Sequence, residues 1–323
     1  MAAELDMSTG RAAIAYVGEK PWHGLGQELT RGAPIEVWQK QAGMCWDIMQ
    51  TQVRYNKDND EVGMFPNQTV LYRSDTKAPL SIVSGDYKIV QPREVVEFFR
   101  DLVSGFGMEL ETAGCLFGGT RFWALANTNN AADIIGNDRV KGMLLLTTSC
   151  DRSRATTAQF TTVRVVCNNT LSLALDNGAD RVKVTHSKYF DPMNIKSQLG
   201  VMDSSFAKFR DQMSALANAK VTDKFVSDFY YELVSDPKKT AEDQTSGVGK
   251  TITDMMNRYR NGMGADMTKG TAWGALNGVT EYIDHGGRGT VDHKLWNSWY
   301  GGKASIKDKA VNYLVNKFDL VDA

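Results

Sequence analysis

The chain has 323 residues, 42% hydrophobic and 23% charged, an ordinary globular composition with room for one large domain or two of common size. Its formal net charge of -1 excludes a global attraction to nucleic acid, so any basic surface has to be local. The cysteines, Cys45, Cys115, Cys150 and Cys167, include no C-x-x-C pair, which argues against a zinc ribbon or thioredoxin-type site, and no apolar run reaches the roughly 20 residues that span a bilayer.

The opening MAAELDMSTGRAAIAYV is acidic and lacks the apolar segment of a secretion signal, so a cytoplasmic protein without a membrane partner is expected. Gly18 to Gly26 is too dense in Gly, Pro and Trp for a helix and reads as a structured turn. It carries His23, a candidate base or ligand, or a loop hydrogen-bonder. Pro34–Ala42 reads as a short helix, and alternation from Trp46 through Tyr55 as a strand. Thr69–Arg73 and Leu80–Val83 read as a hairpin. Pro92 suits a first helical position. Val95, Val96, Phe99, Leu102 and Val103 share a face of that helix, which Gly105 is expected to end. Met108–Phe117 and Thr120–Asn127 flank Gly118-Gly119, a two-residue hairpin turn. Arg121 and Trp123 share a face of its second strand.

The chain then centres on residues 143–175. Met143–Leu146 is apolar at consecutive positions, as in a strand covered on both faces. A polar loop runs from Thr147 to Arg154. Thr156–Val166 is rich in Thr and Val and reads as a second strand. Cys167–Thr170 reads as a strand end and cap, with a helix over Leu171–Leu175. Phe160 and Arg164 lie on one face of the second strand, Gln159 and Val163 on the other, so neither face is wholly apolar. That fits a sheet face presented to a partner, or an edge strand with one wet face. Arg181–Lys188 is a short basic, β-leaning segment. Beyond it, Met202, Phe206, Phe209, Met213 and Leu216 recur at helical spacing, and further helices are expected near 225–233, 252–259 and 306–318.

Three constellations invite chemistry. Ser246–Thr251 resembles a phosphate loop, but Gln244 stands where that pattern requires glycine and no strand precedes it. On a helix over 271–285, Asn277, Glu281, Asp284 and His285 share a face. Glu281 and His285 are one turn apart, near enough to share a metal or a proton. The alternative is a solvated polar face with His285 placed favourably at the helix C-terminus. Arg152 and Arg154 flank Ser153 in the central loop, where arginines can bind phosphate oxygens, with Arg121 and Arg164 able to add to them. A surface turn with local Asp–Arg pairing accounts for the same residues.

Pro21–Gly26, Leu145–Asp151, Thr162–Leu171 and Trp273–His285 together resemble the phage/plasmid-like protein family, a domain family of unknown function found on bacteriophages, prophages and plasmids. The resemblance covers nearly the whole chain and implies a mobile genetic element in a bacterial host. Where that family commonly reads Ser-His-Asp-Gly, this chain has Ser149-Cys150-Asp151-Arg152, without the histidine. The order helix, hairpin, two strands, helix over 92–175 is also similar to the core of single-strand annealing recombinases of the RecT and Bet type, which implies a sheet backed by a helix and assembly into homo-oligomers on DNA.

The expected fold is α+β: an N-terminal mixed or antiparallel sheet with backing helices over 1–190, then a helical region over 191–323. The leading functional expectation is a recombination-associated protein that binds single-stranded nucleic acid. Arg121, Arg152, Arg154 and Arg164 would hold phosphates, and Trp123 or Phe160 would stack on bases. A second is a metal-dependent hydrolase acting on a phosphate ester through His23, Asp151, Glu281 and His285. A third is a non-catalytic protein that engages a host or defence factor. No resident metal or cofactor is specified.

Overall fold

The computed structural model describes residues 6–7, 10–18, 21, 24–58, 60–166, 169–172, 182–186, 191, 202–236, 238, 246–286 and 290–320. These fold as α+β, with strands in the first half and helices mostly in the second. Residues 1–129, 143–160 and 179–200 form one compact unit, and residues 130–142, 161–178 and 201–323 form the other. The division is interleaved along the chain, whereas the sequence suggested one boundary near 190.

An eight-stranded sheet is built from β1 Ile14–Val17, β2 Gln27–Leu29, β6 Glu109–Leu116, β7 Arg121–Asp133, β8 Arg139–Ser149, β9 Thr156–Arg164, β10 Asn169–Ser172 and β11 Val182–Val184. Its strand order is β10-β9-β8-β7-β6-β1-β2, with β11 also on β9. Met143 to Leu146 are fully buried, as their unbroken apolar run requires. β9 is neither an edge nor half wet. Thr156, Thr157, Gln159, Thr161 and Thr162 are each at most 2% exposed, so both its faces are covered.

In the first unit a three-stranded sheet pairs β3 Ile48–Asn56, β4 Val62–Arg73 and β5 Pro79–Ser84. Gln91 closes the first rung on the outer edge of β3. Its carboxamide accepts from Ile48 N at 2.8 Å and donates to Ile48 O at 3.2 Å, standing in for a neighbouring strand. The helix expected from Pro92 is broken into α2 Pro92–Glu97 and α3 Arg100–Phe106, following α1 Ile35–Gln41. Phe98 and Phe99 are buried at the break, edge to face at 5.1 Å. Gly107, at φ 65°, ends α3 in place of Gly105. The turn after β6 is also longer than two residues. Phe117, Gly118 and Gly119 all have positive φ, and a Cβ on Gly119 would stand 2.7 Å from Arg73 Nη1. Arg73 fills that space as a buried cation bonded to Asp6 and Asp75.

The second unit carries α4 Met202–Asn218, α5 Asp223–Val234, α6 Ser246–Asn261, α7 Ala265–Thr268, α8 Ala272–His285, α9 Val291–Tyr300 and α10 Gly302–Lys317. Ser246–Thr251 lies inside α6, so it is helix rather than a phosphate-cradling loop. Every residue of α8 except Tyr282 and His285 is buried. Gly278 lets α5 and α6 approach it: a Cβ there would stand 2.3 Å from the Tyr230 hydroxyl and 3.1 Å from Met255 O. The helix expected over Leu171–Leu175 begins instead as a strand. Leu171 and Ser172 pair with Thr162 and Thr161 of β9, and positions 173–175 lie outside the described residues. No helix among the described residues is long and apolar enough to cross a membrane.

Candidate functional site: a fastened cationic loop

The loop between β8 and β9 is held in the first unit by side chains from several segments. Ser149 Oγ accepts from Arg154 N at 3.0 Å and donates to Arg154 O at 2.9 Å, closing the loop across its base. The Tyr87 hydroxyl donates to Ser149 O at 2.8 Å, and Ser81 Oγ donates to Cys150 O. Cys150 N donates to Thr120 O at 2.8 Å. Asp151 accepts from Ser153 N and from Arg121 Nε, both at 2.9 Å. His186, two residues beyond β11, lies 3.1 Å from Lys88 O through Nδ1 and 3.1 Å from Arg154 O through Nε2. Its ring stacks on Tyr87 at 4.6 Å. A loop with this many backbone anchors holds its shape without a ligand.

Its charges are mostly positive. Arg152 is exposed at φ 63° and has no ion pair among the described residues. Arg154 is half-buried. β11 sets the exposed Lys183 opposite Thr157, three positions beyond Arg154. Lys88 is drawn in by its own backbone, which donates to His186 O at 2.6 Å. Burial works to raise the Asp151 carboxyl, but the Ser153 hydrogen bonds and Arg121 outweigh it and hold the group below its ordinary value. Asp151 is therefore a charged anchor for Arg121. Burial, with Asp151 nearby, pushes the Cys150 thiol up to about 12, so it stays protonated and unreactive.

Three expected nucleic-acid contacts are in the core. Trp123 is 4% exposed, Phe160 1% and Arg164 2%, so none presents a ring or guanidinium to solvent. Arg164 belongs to the second unit, where its Nε donates to Asp138 at 2.6 Å and its Nη1 to Met263 O at 3.0 Å. Arg121 is only partly buried, but it is bonded to Asp151 and its guanidinium lies 4.1 Å over the Phe117 ring. The four arginines do not form one cationic face. Arg152 and Arg154 lie in the loop, the first exposed and the second half-buried.

Two of the hydrolase candidates, Asp151 and Glu281, are engaged by protein donors. His23 lies outside the described residues. Asp151 is engaged with Arg121. The polar face of α8 is buried rather than solvated: Glu281 accepts from Arg258 at 3.1 Å and from Met263 N at 3.2 Å, while Asp284 accepts from Lys307 and from Thr170 N at 2.8 Å. His285 is half-buried at the helix end. Both Glu281 oxygens are thus occupied by protein donors, and no group of three or more potential metal ligands occurs among the described residues. Of the residues missed from sequence, Lys183 and His186 had one signal, the basic, histidine-bearing run around β11, and Tyr87 and Lys88 had none.

Residues 79–314, most of the chain, match the model of a family described as a domain of unknown function, DUF932. No curated protein and no solved structure matches the chain.

Proposed function

The chain belongs to the DUF932 family, and from that premise we propose that it binds nucleic acid through the cationic β8–β9 loop, as a component of a bacterial mobile element. Arg152, Arg154 and Lys183 hold successive phosphates of a single strand. The observation that carries this reading is Arg152: exposed, without an ion pair among the described residues, and held at a positive φ on a fastened loop. An arginine in the left-handed region is strained by about 1–2 kcal/mol. Strain retained at an exposed, rigid loop points to use rather than to packing. Single-stranded binding follows from the small size of the patch, which tracks a few phosphates and inserts no helix or ribbon into a groove. A role in recombination and assembly into homo-oligomers belong to the same proposal.

Fluorescence anisotropy of a labelled oligothymidylate with the full chain at low salt tests it. Saturable binding that weakens with added salt is expected, and undetectable binding at about 20 mM salt would end the proposal.

A further inference from the structure

We infer that His186 is a proton-operated clasp on this loop, taking up a proton as the loop receives a phosphate backbone. This rests on the proposed binding of nucleic acid and names its regulation. Both ring nitrogens of His186 face carbonyl oxygens, Lys88 O and Arg154 O, each at 3.1 Å. A neutral imidazole has one N–H and can donate to only one of them. The second carbonyl then faces a nitrogen lone pair, and one side of the clasp is open. The imidazolium donates to both and ties the 86–88 turn to the base of the loop. Burial opposes that charge, and although the two carbonyls favour it, the net effect holds the ring below its ordinary histidine value. Protein without ligand therefore keeps His186 neutral at pH 7. A phosphate seated on Arg152 and Arg154 brings negative charge to the same loop and shifts the balance toward the imidazolium.

The other groups around the ring do not compete as switches. The 86–88 turn contributes Asp86, Tyr87 and Lys88, the loop Cys150, Asp151, Arg152 and Arg154, and β11 contributes Lys183. Burial raises the Tyr87 hydroxyl well above its usual value, and the Cys150 thiol is near 12. Asp151 is held ionised, burial being outweighed by Ser153 and Arg121. Between pH 5.5 and 8, His186 is the member of this set that changes charge. His186 is a positioning residue: it acts on phosphate through the loop it fastens.

Proton uptake coupled to binding makes affinity rise as pH falls, by at most about tenfold per pH unit. Affinity of the full chain for labelled oligothymidylate is measured at pH 8 and pH 6 at one ionic strength, with His186→Gln in parallel. The clasp predicts affinity about threefold to tenfold higher at pH 6 in the native chain, and a ratio near one in His186→Gln. In a second readout that needs no variant, the NMR titration of the His186 ring moves upward by about one pH unit or more when oligothymidylate is added. Native binding with the same pH ratio in both proteins, or a ring titration that oligothymidylate leaves unmoved, overturns the clasp and leaves the binding proposal standing. Absence of binding at every pH overturns both.

Discussion

Trp273 donates its indole N–H to Asp138 at 2.7 Å, joining residues 135 positions apart in sequence. The other oxygen of the same fully buried carboxylate accepts from Arg164 Nε at 2.6 Å. One charge with both oxygens occupied thus ties the β7–β8 turn and the end of β9 to the start of α8, all within the second unit.

Removing Asp138 alone leaves a buried guanidinium and a buried indole N–H without that acceptor. Asp138→Ala is expected to lower unfolding free energy by about 3–5 kcal/mol. Replacing both charges, as Asp138→Leu with Arg164→Met, should cost less than the sum of the single changes, because no buried charge is stranded. A urea double-mutant cycle measures this, and simple additivity would contradict the pairing.

Gly278 tests the packing of α8. Gly278→Ala places a methyl 2.3 Å from the Tyr230 hydroxyl. Although alanine favours a helix by about 1 kcal/mol, overpacking of about 1–3 kcal/mol outweighs that gain. A net loss of stability on chemical denaturation is expected, and a gain would show that α5 moves aside freely.

Most elements are legible in the sequence because period and termini carry them. Pro34, Pro92 and the apolar spacings of 202–216 mark helices that the structure contains, and Met143–Leu146 announces a doubly covered strand. Other features depend on contacts no local pattern encodes. Thr170-Leu171 carries Asn at its cap and apolar residues beyond, yet forms strand because β9 supplies the pairing and Asp284 accepts its N–H. The arginine pattern misled for the same reason: Arg164 looks like a surface cation until Asp138 is brought to it. The loop itself was visible in sequence, but its fastening by Tyr87 and His186 was not.

Strain and binding should separate at Arg152. Arg152→Gly relieves the positive φ, so stability is expected to stay level or rise by about 1 kcal/mol, while affinity for single-stranded DNA falls by about threefold to tenfold. Parallel thermal melts and anisotropy titrations check both halves. A variant that loses stability and affinity together would make the arginine structural.

The unliganded protein should lose stability in two steps as pH falls. His186 is held below its ordinary value by burial, so its contribution is complete above about 6.5 and declines as pH falls from there toward the folded value. Asp151 is also depressed, with burial outweighed by Ser153 and Arg121, so its contribution is complete above about 3.9 and is lost as pH falls through its lower folded value. Urea midpoints should decline between pH 7 and 5.5, a decline that His186→Gln removes, and again below about pH 4. A flat profile from pH 7 to 5.5 in the native chain would contradict the burial of a neutral ring.

The most direct measurement is the salt dependence of oligothymidylate binding by the native chain and by Arg152→Gly, read as the slope of log affinity against log salt concentration. The cationic loop predicts a negative native slope that becomes shallower by about 0.7 in Arg152→Gly, because the variant neutralises one fewer phosphate of the single strand. Equal slopes and equal affinities in the two proteins would place the binding surface elsewhere and contradict the proposed role of this loop.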